Sequence, residues 1–220
     1  MKKRFLSAGL AVVMAASLTA CGSSSSTTET TTAAAAAGES TAASGEVFKI
    51  GGIGPVTGAA AVYGLAVKNG AQIAVDEINA DGGINGYQID FQFQDDEHDA
   101  EKSVNAYNSL KDWGMQMLIG TTTSTPCTAV VEESHNDNLF QLTPSATAVE
   151  SIQYDNAFRM CFSDPNQGSA SADYIADNNL AKKVAVIYNS SDTYSSGIYQ
   201  NFVTEAEKKG LEVVAAKAFT

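Results

Sequence analysis

Two periods alternate along the chain from residue 47 onward. Residues 47–50, VFKI, alternate into the glycine-rich turn Gly51-Gly52-Ile53-Gly54, which reads as a strand running into a loop. Val62, Leu65, Ala66, Ile73, Val75 and Ile78 then recur at helical spacing across 62–79, and Asp81-Gly82-Gly83-Ile84-Asn85-Gly86 supplies a stop and a turn. Ile89, Phe91 and Phe93 alternate with Asp90, Gln92 and Gln94, the pattern of a half-exposed strand. Asp99 is placed to cap a helix carrying Val104, Ala106, Tyr107 and Leu110. Residues 115–119 predict a buried strand, and 121–125 lead into a helix with Pro126 in its first turn. A strand over 139–142 ends at Thr143-Pro144-Ser145-Ala146-Thr147. A strand near 158–162, a helix near 167–178, a strand over 184–188, a helix near 195–208 and a strand over 211–215 follow. Strands separated by helices of this length need right-handed crossovers and a mostly parallel sheet. The pattern therefore predicts an α/β fold of doubly wound parallel type, with a lobe boundary at Ser163-Asp164-Pro165-Asn166.

The first 46 residues carry neither period. Residues 1–20 put Lys2, Lys3 and Arg4 ahead of an apolar stretch over 5–16 and then small residues, the three parts of a secretory signal. Leu18-Thr19-Ala20-Cys21 resembles a bacterial lipobox, which implies that Cys21 is lipidated and becomes the mature N-terminus. The competing reading is an ordinary cleavage site beside an incidental cysteine. Residues 21–46 are nearly all Ser, Thr, Ala and Gly beyond the cysteine, too poor in apolar groups to offset the entropy of ordering. As a flexible chain they would span about 25–30 Å, enough to hold a domain clear of a bilayer. A multiply acylated cysteine anchors stably where one acyl chain does not. The expected location is extracytoplasmic, lipid-anchored to the cell membrane.

Composition narrows the function. The chain has 220 residues, 44% apolar and 17% charged, with a formal charge of −12, and a chain that acidic repels phosphate backbones. Nucleic acid is therefore excluded as a partner. Three cysteines, Cys21, Cys127 and Cys161, fit neither a zinc site nor CxxC redox spacing. Cys127 and Cys161 read either as a disulfide or as two small buried apolar residues.

Ligands of such sheets sit beyond the carboxyl ends of the strands, which selects the loops 54–63, 120–126, 143–147 and 189–195. These supply Tyr63, Ser124, Thr125, Ser145, Thr147 and Tyr194 without a cluster of catalytic carboxylates or histidines. Hydroxyls and helix-start amides suit a small anion such as a carboxylate. By spacing alone, capping and ligand contact are equally good readings of Ser124, Thr125 and Thr147. Gly52-Ile53-Gly54-Pro55-Val56-Thr57-Gly58 is GxGxxxG, not the dinucleotide GxGxxG, and Pro55 lacks an amide a pyrophosphate would need. Asp95-Asp96-Glu97-His98-Asp99 reads as a solvated loop and helix start, with a metal site as the lesser alternative. No GxSxG elbow is present, and no motif ties His98 or His135 to a serine.

The stretches Ile53-Gly54-Pro55-Val56-Thr57-Gly58, Tyr63-Gly64, and Gly70-Ala71 on to Ala74-Val75-Asp76-Glu77-Ile78-Asn79-Ala80-Asp81-Gly82-Gly83-Ile84-Asn85-Gly86 resemble the leucine/isoleucine/valine-binding proteins. Asp95-Asp96, Ile119-Gly120, Thr143-Pro144-Ser145-Ala146-Thr147 and 184–188 extend the resemblance. It implies a two-lobed, type I periplasmic-binding-protein fold that delivers an amino acid to the permease and ATPase subunits of an ABC transporter. By the same resemblance Ser124, Ser145, Ala146 and Thr147 hold the ligand's α-carboxylate and ammonium, the carbonyls of Ser145 and Ala146 accepting from the ammonium. Tyr63 and Tyr194 wall the ligand's side chain. No cofactor, metal or catalysis is implied. Where the family often has a cysteine pair in the first lobe, this chain has His98 and Thr123. The expected organisation is a signal over 1–20, a linker over 21–46, a first lobe over 47–162 and the start of a second over 163–220. That second lobe is expected to be incomplete, with the sequence a fragment, because family members continue well past the equivalent of Thr220. A sensory ligand-binding domain is the alternative; the lipobox and free linker favour transport.

Changing Cys21→Ala is expected to move the protein from the membrane pellet to the soluble fraction, as read by fractionation. Retention in the pellet would show that the anchor lies elsewhere.

Overall fold

The computed structural model describes residues 46–220, so the signal, the Cys21 anchor and the linker lie outside the described residues. The first strand, β1 (Val47–Gly54), is buried over its last five positions, as a strand between two neighbours must be. It pairs in parallel with β2 (Gln88–Asp95) on one side and β3 (Met117–Ile119) on the other. Beyond β3 lie β4 (Phe140–Thr143) and β5 (Ala157–Arg159), giving a five-stranded parallel sheet in the order β2-β1-β3-β4-β5. The helix α1 (Ala61–Ala80) covers one face, where Val75 packs with Ile50 and Ile89. The helices α2 (Ala100–Trp113) and α3 (Ser124–Asn136) cover the other, around Ile53, Tyr107, Leu110, Leu118 and Val130. The sheet is therefore wound on both faces, as the alternating periods predict.

After β5 the chain enters α4 (Asp164–Asp177), β6 (Lys183–Asn189), α5 (Thr193–Lys209) and β7 (Glu212–Phe219). β6 and β7 form a separate two-stranded parallel sheet, packed on one face by Ala172 of α4 and by Phe202 and Ala206 of α5. α4 and α5 cross so closely at Gly168 that a Cβ there would stand 2.6 Å from the Ile198 carbonyl oxygen and 2.8 Å from the Phe202 nitrogen. Both neighbours are backbone and cannot swing aside.

Several boundaries differ from the sequence expectation: β1 runs through Gly51–Gly54, where a turn was expected, and α4 and α5 begin at Asp164 and Thr193, ahead of residues 167 and 195. β3 starts at Met117, not at residue 115, because the Met115 amide is spent on the Leu110 carbonyl closing α2. β5 stops at Arg159 instead of reaching residue 162, as the chain there turns toward α4. β7 runs on to Phe219, paired with β6 along its length; Ala215, Ala216 and Ala218 give no apolar alternation that would mark the extension. The cap at Asp99 is as predicted: its Oδ1 accepts the Lys102 amide at 2.8 Å.

The acidic loop after β2 distributes its carboxylates over separate tasks, none of them shared by a metal-like cluster of three among the described residues. Asp95 accepts the Val56 amide (2.9 Å), the Glu97 amide (3.0 Å) and the Thr57 hydroxyl (2.6 Å). Burial opposes its ionisation, but the bonds from Thr57, Val56 and Glu97 together hold its carboxyl below the ordinary range. Asp96 is fully buried; Oδ1 accepts the His98 amide at 2.9 Å, and Oδ2 has no partner among the described residues. Burial pushes its pKa up to about 6, against the lowering effect of the His98 bond.

Two outcomes follow for stability. Gly168→Ala is expected to cost about 1–3 kcal/mol by overpacking the α4–α5 crossing. Gly70→Ala, in α1 with nothing within 4 Å of the new methyl group, is expected to gain about 0.5–1 kcal/mol. Urea denaturation of both variants checks the opposite signs. The Asp96 carboxyl, whose folded pKa lies above its ordinary 3.8, binds its proton more tightly when folded. Its contribution is thus greatest below its unfolded pKa and is lost as pH rises through about 6. Asp96→Asn is expected to flatten that loss and to raise stability at neutral pH by on the order of 2 kcal/mol. Denaturation midpoints that fall with pH as steeply as in the wild type would contradict it.

Candidate functional site

Parallel pairing points the carboxyl ends of β1, β3 and β4 the same way, and the loops leaving them meet around a cavity of about 380 Å³. Thr122, Thr123 and Ser124 enter it from the start of α3, Ser145 and Thr147 from the loop after β4, and Tyr63 from the first turn of α1. Asp192 and Tyr194, at the start of α5, close the opposite side, with Cys161 and Phe162 beside them. Five of the six residues picked from the sequence, Tyr63, Ser124, Ser145, Thr147 and Tyr194, therefore share one cavity. Ala146 does not line it. It is fully buried, its amide given to Thr143 Oγ1 (3.0 Å) and its carbonyl accepting from the Cys161 thiol (3.6 Å).

Ser124 is not a helix cap. Thr123 holds the cap position of α3, and Ser124 Oγ instead accepts the amides of Thr147 and Ala148, each at 3.2 Å. With both acceptor directions filled, its own proton is left to point elsewhere. The carbonyls of the same two residues accept from Arg159 Nη1, each at 2.9 Å. Ser145 is the reverse case. Its hydroxyl donates to the Thr122 carbonyl at 2.5 Å, so its oxygen retains acceptor capacity on the other side. Thr147 Oγ1 is buried without a hydrogen bond of good geometry among the described residues; it lies near the Asp164 carboxyl, whose pKa burial raises and the Thr147 hydroxyl lowers. Donor and acceptor hydroxyls thus stand side by side where α3 begins, and the positive end of the helix dipole adds to them.

Thr122, Phe162 and Asp192 line the cavity without having been picked from the sequence, and His98 and Thr123, noted there for other reasons, stand beside them. His98 Nδ1 lies 2.9 Å from Thr123 Oγ1, and its Nε2 lies 3.8 Å from Asp192 Oδ1. The Thr125 hydroxyl accepts the Thr193 amide at 3.2 Å and donates to Asp192 Oδ1 at 3.3 Å, joining the two sheets' helices across the cavity. Asp192 also caps α5, accepting the Ser195 amide at 3.1 Å. Tyr194 is steadied by Gln167, whose amide nitrogen donates to its phenol at 3.0 Å. Cys127 and Cys161 are both free thiols; burial raises the pKa of each. Cys127 sits in the core with its thiol toward the Ser151 carbonyl at 4.0 Å, so the buried-apolar reading describes it better than the disulfide.

The family model described as periplasmic binding protein matches residues 47–220. The Leu/Ile/Val-binding protein BraC3 of Rhizobium johnstonii is 34% identical over 173 residues, which cover 78% of this chain and 47% of that relative. A leucine-, isoleucine-, valine-, threonine- and alanine-binding protein of Pseudomonas aeruginosa is 32% identical over 176 residues, covering 79% and 47%. The crystal structure of the branched-chain amino acid transporter substrate-binding protein LivJ of Streptococcus pneumoniae, in complex with isoleucine, superposes with a TM-score of 0.74. It is 30% identical, with 80% of this chain and 50% of that one covered. This chain spans about half the length of the curated relatives it matches. The match from β1 to the end of the chain, the parallel two-faced sheet and these relatives agree: the chain belongs to the periplasmic binding protein family, with the type I fold of the Leu/Ile/Val-binding proteins.

Proposed function

We propose that this chain is the substrate-binding part of an ABC transporter and that its cavity takes a branched-chain or similar amino acid for uptake, without catalysis. The observation that carries the reading is the saturation of Ser124 Oγ by two amides, which leaves its hydroxyl as a donor beside the buried Thr147 Oγ1. Two donors at a helix start fit a carboxylate. The Ser145 oxygen, its own proton committed to Thr122, fits an ammonium. Ala146, behind the wall, shapes the turn that presents both neighbours. Tyr63 and Tyr194 then flank the ligand's side chain, and burial against their rings adds about 25 cal/mol per Å². The names of the relatives, one of which includes threonine, and the isoleucine in the pneumococcal structure support a small or branched neutral amino acid.

In this reading residues 47–162 form the first lobe and 163–220 belong to the second, with the ligand between them. Cys21, lipidated after removal of residues 1–20, tethers the protein to the outer face of the cell membrane through the linker at 21–46. Its partners there are the permease and ATPase subunits.

Ser124→Ala and Thr147→Ala are each expected to weaken binding of leucine, isoleucine or valine by about 1–3 kcal/mol, as charge-assisted bonds to a carboxylate are lost. Calorimetry on the full-length chain checks this, and unchanged affinity in both variants would restrict the two hydroxyls to loop structure. No product should form from any bound amino acid.

A further inference from the structure

We propose, resting on the amino-acid reading above, that the cavity contains a second hydrogen-bonding subsite made by His98 and Asp192. Through it the protein prefers amino acids with a hydroxyl or carboxamide in the side chain over their aliphatic isosteres.

The imidazole is held in place from behind. Glu97 and His98 take left-handed backbone angles, φ 50° and 63°, an arrangement that costs energy for side chains of this size. The loop secures it by giving the Glu97 amide to Asp95 Oδ1 and the His98 amide to Asp96 Oδ1. The ring is then fixed by Thr123 Oγ1 at 2.9 Å from Nδ1. Asp192 is equally constrained, by the Ser195 amide on Oδ2 and the Thr125 hydroxyl on Oδ1.

Between the two groups a gap remains. His98 Nε2 and Asp192 Oδ1 face each other at 3.8 Å, too far for a hydrogen bond, while both line the cavity with Ser124 and Thr147. A carboxylate facing Nε2 favours the tautomer with its proton there, which makes the Thr123 hydroxyl the donor to Nδ1. The pair therefore offers one donor and one acceptor, separated by a distance that a single ligand oxygen can bridge. A hydroxyl satisfies both partners at once, and a carboxamide presents the same two functions. A methyl group in that place would desolvate both and satisfy neither. A carboxylate would meet the charge of Asp192, and an ammonium would meet the Nε2 proton. Tyr63, Phe162 and Tyr194 still provide apolar wall for the carbon part of the side chain.

Threonine and valine are isosteric and isolate this subsite. Titrated into the full-length chain by calorimetry or amide chemical shifts, threonine is expected to bind at least about tenfold tighter than valine. His98→Gly removes the imidazole and adopts the left-handed backbone without strain, so it is expected to fold. In it the two affinities should converge to within about twofold through loss of threonine binding. Asp192→Asn keeps a helix cap and should lower threonine affinity in the same direction. Valine binding as tightly as threonine in the wild type overturns the subsite and leaves the amino-acid reading standing. A threonine preference that survives His98→Gly also overturns it, assigning selectivity to other residues. Binding of no amino acid at all overturns the parent reading and this inference together.

Discussion

The amides of Thr147 and Ala148 converge on one oxygen, Ser124 Oγ, and the geometry of the cleft depends on that convergence. A loop leaving a parallel strand has backbone groups without ladder partners, and buried ones must be satisfied somewhere. Here the amides go to Ser124 and the carbonyls to Arg159, so two consecutive peptide units are gripped on both edges. Thr143 extends the grip, donating to the Thr121 carbonyl at 2.6 Å and accepting the Ala146 amide. A loop fixed in this way would lose little freedom on taking the proposed ligand, a saving that would appear as affinity. It also settles hydroxyl direction before any ligand is present, since oxygens already saturated as acceptors can only donate.

The same economy of groups links the two sheets. The Thr125 hydroxyl, one residue into α3, reaches Asp192 and Thr193 at the start of α5, while Asp192 caps that helix and faces His98. Behind this contact, α4 and α5 are locked by the close crossing at Gly168, which keeps Gln167 within reach of the Tyr194 phenol. The position of the tyrosine wall is thereby set by helix packing as much as by the loop that carries it. The acidic loop at 95–99 works on the opposite side. Its carboxylates hold the β1–α1 loop, the left-handed turn at His98 and the start of α2.

The order of strands and helices is legible in the residues alone, because hydrophobic period is a property of neighbours three or four residues apart in helices and two apart in strands. So are the parallel two-faced winding, the cap at Asp99 and the loops that surround the cavity. The same pattern also singled out Tyr63, Ser124, Ser145, Thr147 and Tyr194, since parallel connection alone places those loops at one end of the sheet. Where local signal was weak it erred: the alanines of β7 are held in the strand by pairing with β6 and carry no apolar period of their own.

What each of these groups does depends on contacts made across the folded chain. Whether Ser124 caps a helix or grips a loop depends on residues 23 and 24 positions away. The meeting of Thr125 with Asp192 joins residues 67 apart, and no local pattern encodes such a pair. Ala146 stood beside two cavity residues in the sequence yet faces the core, because a turn gives adjacent side chains different surroundings. The raised pKa of Asp96 arises from its burial, although Asp95 next to it shifts the other way. Hydrogen-bond direction, burial and long-range contact are relations between distant parts of the chain, and they exist only once the sheet has brought those parts together.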